Sequence, residues 1–195
     1  ITCVVLAAHQ CLPQLKSHSA AALYTGVTPL ELREAIYSCM PFIGCPKTLN
    51  AISAVNETFT AQGISLPIEG AERVSEDERM EAGRKIQESI YGTEIRDEFA
   101  SLPEPFNREV PDILTGWYFG DFCTRGVLDA KTRELLSLVL LAALGAEKQL
   151  GAHVSGCLKA GATQEEIYTV LLHALPYMGF PLGVNAIRIA RQRLE

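Results

Sequence analysis

The chain carries one stretch twice. Residues 1–52, moved along by 135 positions, lie on residues 136–187 without a gap, and 17 of the paired positions are identical. An ungapped match of that length marks an internal duplication, so the fold is one that uses the same unit two times. His18 falls on His153, Gln14 on Gln149, Gly26 on Gly161, Thr28 on Thr163 and Glu31 on Glu166. Further along, Pro41 falls on Pro176, Gly44 on Gly179, Pro46 on Pro181, and Asn50-Ala51-Ile52 on Asn185-Ala186-Ile187. The organisation expected is a first repeat over 1–59, a helical and loop-rich linker over 60–110, and a second repeat over 111–195. Ile1 aligns with Leu136, so the counterpart of residues 129–134 falls before residue 1. The first repeat therefore reads as truncated at its N-terminus, in a chain that continues upstream.

The local grammar within each repeat is helical. Asp129 stands where an N-cap belongs, ahead of an apolar run that Gly145 ends. A second helix is expected from about Glu147 to Ala160, stopped by Gly161, which suits a left-handed cap. Thr163 and Glu166 form a capping box for a third helix, as Thr28 and Glu31 do in the first repeat. That third helix is expected to stop before Pro176, with Pro181 opening a terminal helix. Ser75 and Glu78 suggest one more capping box, at the head of a polar helix in the linker. Trp117, Tyr118 and Phe119 are expected to pack on the core of the second repeat. No stretch alternates like a strand, so the fold class expected is all-α.

Composition removes several functions. The net charge is −6, opposite to the basic patch that nucleic-acid binding needs. No apolar run reaches the roughly 18 residues that span a bilayer. The six cysteines lack any C-x-x-C pair or framework spacing and read as free thiols of a cytoplasmic protein. No clustered Cys/His motif suggests a metal, and no glycine-rich loop suggests a phosphate.

The histidines carry the chemistry. Gln149, His153 and Cys157 share one helical stripe at i, i+4 and i+8, and Cys11, Gln14 and His18 share the matching stripe of the first repeat. Glu134 lies 19 residues before His153, on the preceding helix. A hairpin at Gly145 would set the carboxylate against the imidazole, fixing its tautomer for proton transfer. His173 is a second imidazole of that repeat.

The run from Leu128 to Ala190 resembles the carboxymuconolactone decarboxylase family, through the pattern D-x-x-T-R-E … H … G-x-T-x-E-E-I … Y-x-G-x-P-x-x-x-N-A. Residues Ile1 to about Phe59 resemble a second, shortened member. The resemblance implies an all-α, alkyl hydroperoxidase D-like fold of two tandem repeats, assembled as a homo-oligomer, a trimer or hexamer. It implies decarboxylation of a small unsaturated lactone acid in aromatic-compound catabolism. The substrate is then a small organic anion, and no cofactor, metal, nucleic acid or membrane is involved. In that chemistry His153 would donate the proton with Glu134 behind it. Gln149 would bond the lactone oxygen, and Arg133 and His173 would bind the substrate. His18, Gln14 and Cys11 are the first-repeat equivalents. A second branch of the family uses a C-x-x-C-x-x-x-H thiol motif for peroxide reduction. Here only Cys11 is kept, at the first cysteine position ahead of His18, so a thiol-dependent peroxidase of Cys11 and His18 is the alternative. A non-catalytic oligomeric scaffold is a third.

Overall fold

A computed structural model describes residues 1–195, and the chain is helical with no strand. It divides into two compact units. One joins residues 1–70 to residues 127–195, and the other is 71–126.

The first unit holds both repeats. The first repeat gives α1 (Thr2–Ala8), α2 (Leu12–Tyr24), α3 (Pro29–Tyr37), α4 (Met40–Ile43) and α5 (Cys45–Ala61). Residues 71–126 add α6 (Arg79–Tyr91), α7 (Glu94–Phe99), α8 (Phe106–Ile113) and a π-helical segment, Leu114–Cys123. The second repeat gives α9 (Ala130–Leu144), α10 (Glu147–Lys159), α11 (Gln164–Met178) and α12 (Phe180–Leu194). Moved by the same 135 positions, α2 coincides with α10, α3 and α4 with α11, and α5 with α12.

Within the two repeats the caps form as the sequence dictates. The Asp129 carboxylate accepts from the Thr132 N–H at 2.8 Å, and both threonine capping boxes close on their glutamates. Gly44 and Gly179 turn the chain at φ 80° and 87°, a conformation that costs a side-chain-bearing residue dearly. At the prolines the repeats differ. In the first, the helix breaks at Ser38 and Cys39 just before Pro41. In the second, the expected stop before Pro176 is not made, and α11 runs through it to Met178. A proline removes one N–H and crowds the preceding turn, but it does not forbid a helix held by burial on one face. Leu171, Ala174 and Met178 supply that burial.

The core is one cluster shared by the repeats. α1 and α9, the matching first helices, pack on each other, and Cys3–Ala8 and Leu136–Ala143 are buried almost continuously. Leu15, Ile36, Phe59, Ile167 and Leu171 complete it from the surrounding helices. Each such side chain removed from water stabilises the fold by roughly 1.5–3 kcal/mol before entropy is counted.

Residues 71–126 cover most of the stretch expected as a linker, and they form a packed helical unit. In it α6 lies tightly on the π-helical segment. A Cβ built on Gly83 would stand 2.4 Å from the Thr115 carbonyl oxygen, and one on Gly120 would stand 2.6 Å from that of Arg79. Two expectations are corrected here. Tyr118 and Phe119 bury themselves within this unit, Phe119 against Tyr91 of α6 at 6.0 Å, while Trp117 is exposed. The Ser75–Glu78 stretch is a turn, and the helix begins at Arg79. The Glu78 carboxylate accepts from the Ser75 N–H and hydroxyl, but no return bond caps the helix. No helix is long and apolar enough to cross a membrane.

Candidate active site

The left-handed Gly145 (φ 67°) folds α10 back along α9. This hairpin sets Glu134 of α9 against His153 of α10, with the carboxylate Oε2 2.9 Å from the imidazole Nδ1. Glu134 is 2% exposed and His153 is half-buried. A buried carboxylate accepts, so Nδ1 carries the hydrogen and Nε2 becomes the nitrogen that exchanges protons with anything reaching the site. The first repeat supplies a wall, because the Phe42 ring of α4 meets the His153 ring edge-on at 6.0 Å.

Beside the pair lies more buried charge. Arg133 Nη1 donates to the Ser38 hydroxyl at 2.9 Å, and Ser38 in turn donates to the Glu34 carbonyl oxygen. Arg133, Glu134, Arg33 and Glu34 are all buried. Arg133, expected to meet substrate, thus reaches across to the first repeat. The Cys157 thiol also sits near Glu134. Burial, and then the Glu134 charge, push its pKa well above the usual range, so at neutral pH it remains protonated and a poor nucleophile.

The other expected residues are placed as follows. Gln149 is exposed on α10, one turn before His153, and Gln14 is exposed at the matching place on α2. Neither bonds to a histidine. Cys11 precedes α2, half-buried, with its sulfur 3.8 Å from the His9 carbonyl oxygen. It lies two helical turns from His18, about 10 Å along the axis, so thiol and imidazole do not meet. His173 does not join Glu134 and His153. Its Nε2 stands 2.9 Å from the Thr2 hydroxyl, and its ring lies 6.3 Å from that of Tyr177. Burial is the main influence that pushes its pKa down. Tyr177 also meets His18, edge-on at 5.2 Å.

Phe42 and Tyr177 are functional candidates that the sequence reading passed over. They occupy the same position of the two repeats, and each faces the histidine of the other repeat. An aromatic at a matched position beside Pro41 and Pro176 was the available signal. Which histidine it would face was not in the sequence.

A sequence profile described as the carboxymuconolactone decarboxylase family matches residues 1–57 and 108–192. The chain is 31% identical over 113 residues to a nitrosuccinic acid decarboxylase, npaB, of Metarhizium robertsii, covering 58% of this chain and 79% of that protein. It is 24% identical over 119 residues to a 4-carboxymuconolactone decarboxylase of Acinetobacter baylyi, covering 61% and 89%. An uncharacterized 15.0 kDa protein of Paracoccus denitrificans is 39% identical over 82 residues, covering 41% and 60%. The profile spans more than half of the sequence, and the chain belongs to the carboxymuconolactone decarboxylase family.

Proposed function

We propose that the protein is a carboxy-lyase that removes carbon dioxide from a small unsaturated lactone acid without a cofactor, with His153 as its proton donor. The carrying observation is the contact of the buried Glu134 carboxylate with the half-buried His153 imidazole at 2.9 Å. Two of the relatives are named as decarboxylases, one for nitrosuccinic acid and one for 4-carboxymuconolactone.

The chemistry follows from those groups. The carbon–carbon bond to the carboxylate breaks heterolytically, carbon dioxide departs, and the electron pair passes into a conjugated electron-withdrawing group, the lactone carbonyl. The imidazolium Nε2 then delivers its proton to carbon, and the resulting neutral imidazole is recharged from water. Glu134, itself buried, holds the ring through Nδ1 and balances the imidazolium charge. Gln149, one turn earlier on the exposed side, bonds the oxygen on which charge develops. In this scheme Arg133 anchors α9 to Ser38, and Phe42 walls the site.

The test is carbon dioxide release from 4-carboxymuconolactone, with nitrosuccinate in a parallel assay. His153→Ala should lower kcat/KM by about 10²–10⁴ and Glu134→Gln by at least about tenfold, with the helical circular dichroism unchanged. Full activity of His153→Ala removes the assignment. Peroxide consumption abolished by Cys11→Ser, with no carbon dioxide released by the parent, would replace it with thiol chemistry.

A further inference from the structure

The net negative charge of the chain is confined to one unit. Residues 71–126 carry thirteen acidic against seven basic side chains, and the rest of the chain carries ten of each. The whole net charge of −6 therefore belongs to these residues. Neither Glu134 nor His153 is among them.

This unit also shows an apolar side to water. Phe106, Val110, Ile113 and Trp117 recur at spacings of four, three and four, which places them on one face of α8 and the π-helical segment that follows. An amphipathic helix ordinarily turns such a stripe inward. Here Pro111 is the buried residue of α8, while Phe106 is 53% exposed, Ile113 61% and Trp117 37%. Along the stripe runs an open groove of about 350 Å³, floored by Met80, Ile113, Gly116 and Trp117 and edged by Arg79, Glu109 and Asp112. Arg79 pairs with Asp121 at 2.6 Å and with Glu76 at 3.1 Å, and Asp112 pairs with Arg96 at 3.3 Å. Four carboxylates thus stand against two guanidinium groups around the groove, and its rim is negative.

We infer that this face is a docking surface for a basic amphipathic helix of a partner protein. The apolar stripe takes apolar side chains at the helical spacing it shows itself, and the acidic rim takes lysine or arginine beside them. From Phe106 to Trp117 is roughly 16 Å along the axis, about three turns of a partner helix. A second copy of the chain is a poor occupant, because its matching face brings a unit of the same negative charge. An anionic membrane surface is repelled for the same reason.

Trp117 is the only tryptophan of the chain, so its fluorescence reads the groove directly. The probe is a synthetic amphipathic peptide of leucine and lysine, about 14 residues long, titrated into the whole chain. It should move the emission to shorter wavelength, saturably, and a peptide with glutamate in place of lysine should not. Ile113→Ser should weaken the midpoint about tenfold, the loss of one buried aliphatic side chain, and Glu109→Gln about threefold. Both residues are exposed, so circular dichroism should stay that of the parent. Phe106→Ser, at the far end of the stripe, gives an independent reading with the same expected direction. The measurement involves no catalysis, so its failure leaves the proposed reaction untouched. Four results would overturn the docking surface. They are no saturable shift with the lysine peptide, an equal midpoint for the glutamate peptide, a parent-like midpoint in both Ile113→Ser and Phe106→Ser, and an emission shift without peptide. A shift on concentrating the chain alone would assign the face to a second copy, and one on adding phosphatidylserine vesicles would assign it to a membrane.

Discussion

At the scale of single residues, charge decides more than volume. Asp129 caps α9, the helix that carries Glu134, and hydrogen bonding from the Thr132 side chain, and then from its N–H, holds its carboxyl below the ordinary aspartate value. A depressed folded-state value means the stabilisation is fully present above the unfolded pKa of about 3.9 and is lost as pH falls through the folded value. Asp129→Ala should cost about 1 kcal/mol at neutral pH in urea denaturation. Asp129→Asn keeps an oxygen acceptor and loses only the charge. Its deficit against the parent should be a few tenths of a kcal/mol at pH 7 and should vanish once the pH falls below the depressed folded-state value. A deficit that persists at low pH would mean the charge is not what matters. The caps were legible because a cap is a relation between neighbours three residues apart. The Glu134–His153 pair was legible for a similar reason, since a single glycine turn joins the two helices that carry it. His173 was not, because Thr2 lies 171 residues away and nothing local links them.

Elements interact through the backbone approaches their smallest residues permit. Gly83 of α6 and Gly120 of the π-helical segment face each other's backbone at distances that leave no room for a methyl group. Gly83→Ala must push the two segments apart, a strain of about 1–3 kcal/mol that its better helix propensity does not offset. In hydrogen exchange, amides of 79–123 should lose protection while those of α9 and α10 keep theirs. Parent-like protection throughout would show that α6 accommodates the methyl by sliding. The aromatic run at 117–119 shows the limit of sequence reading at this scale. Its hydrophobicity called for burial but did not say against what, and α6 provides the partner. Pro176 shows another limit. The residue carries its steric cost wherever it stands, but whether a helix survives it depends on the packing around the next turn.

For the molecule as a whole, the duplication is structural as well as sequential. α1 packs on α9, Phe42 faces His153, Tyr177 faces His18, and Arg133 bonds Ser38, so each repeat completes the other. Residues 127–195 made alone should therefore lack a cooperative thermal transition, because the face of α9 that α1 covers would be open to water. Cooperative melting of that fragment would show the repeat to be self-sufficient. The sequence by itself determined the all-α class, the caps, the two-fold use of one unit and the pairing across a tight hairpin. Each of these rests on contacts between residues close in the chain or on a periodicity that survives translation. Only the tertiary structure decided that a wall for each histidine comes from the opposite repeat. It alone also brought His173 to His18 and made residues 71–126 a packed unit. Those arrangements join side chains distant in sequence, and the free energy that selects them comes from burying shared surface, which no local pattern encodes.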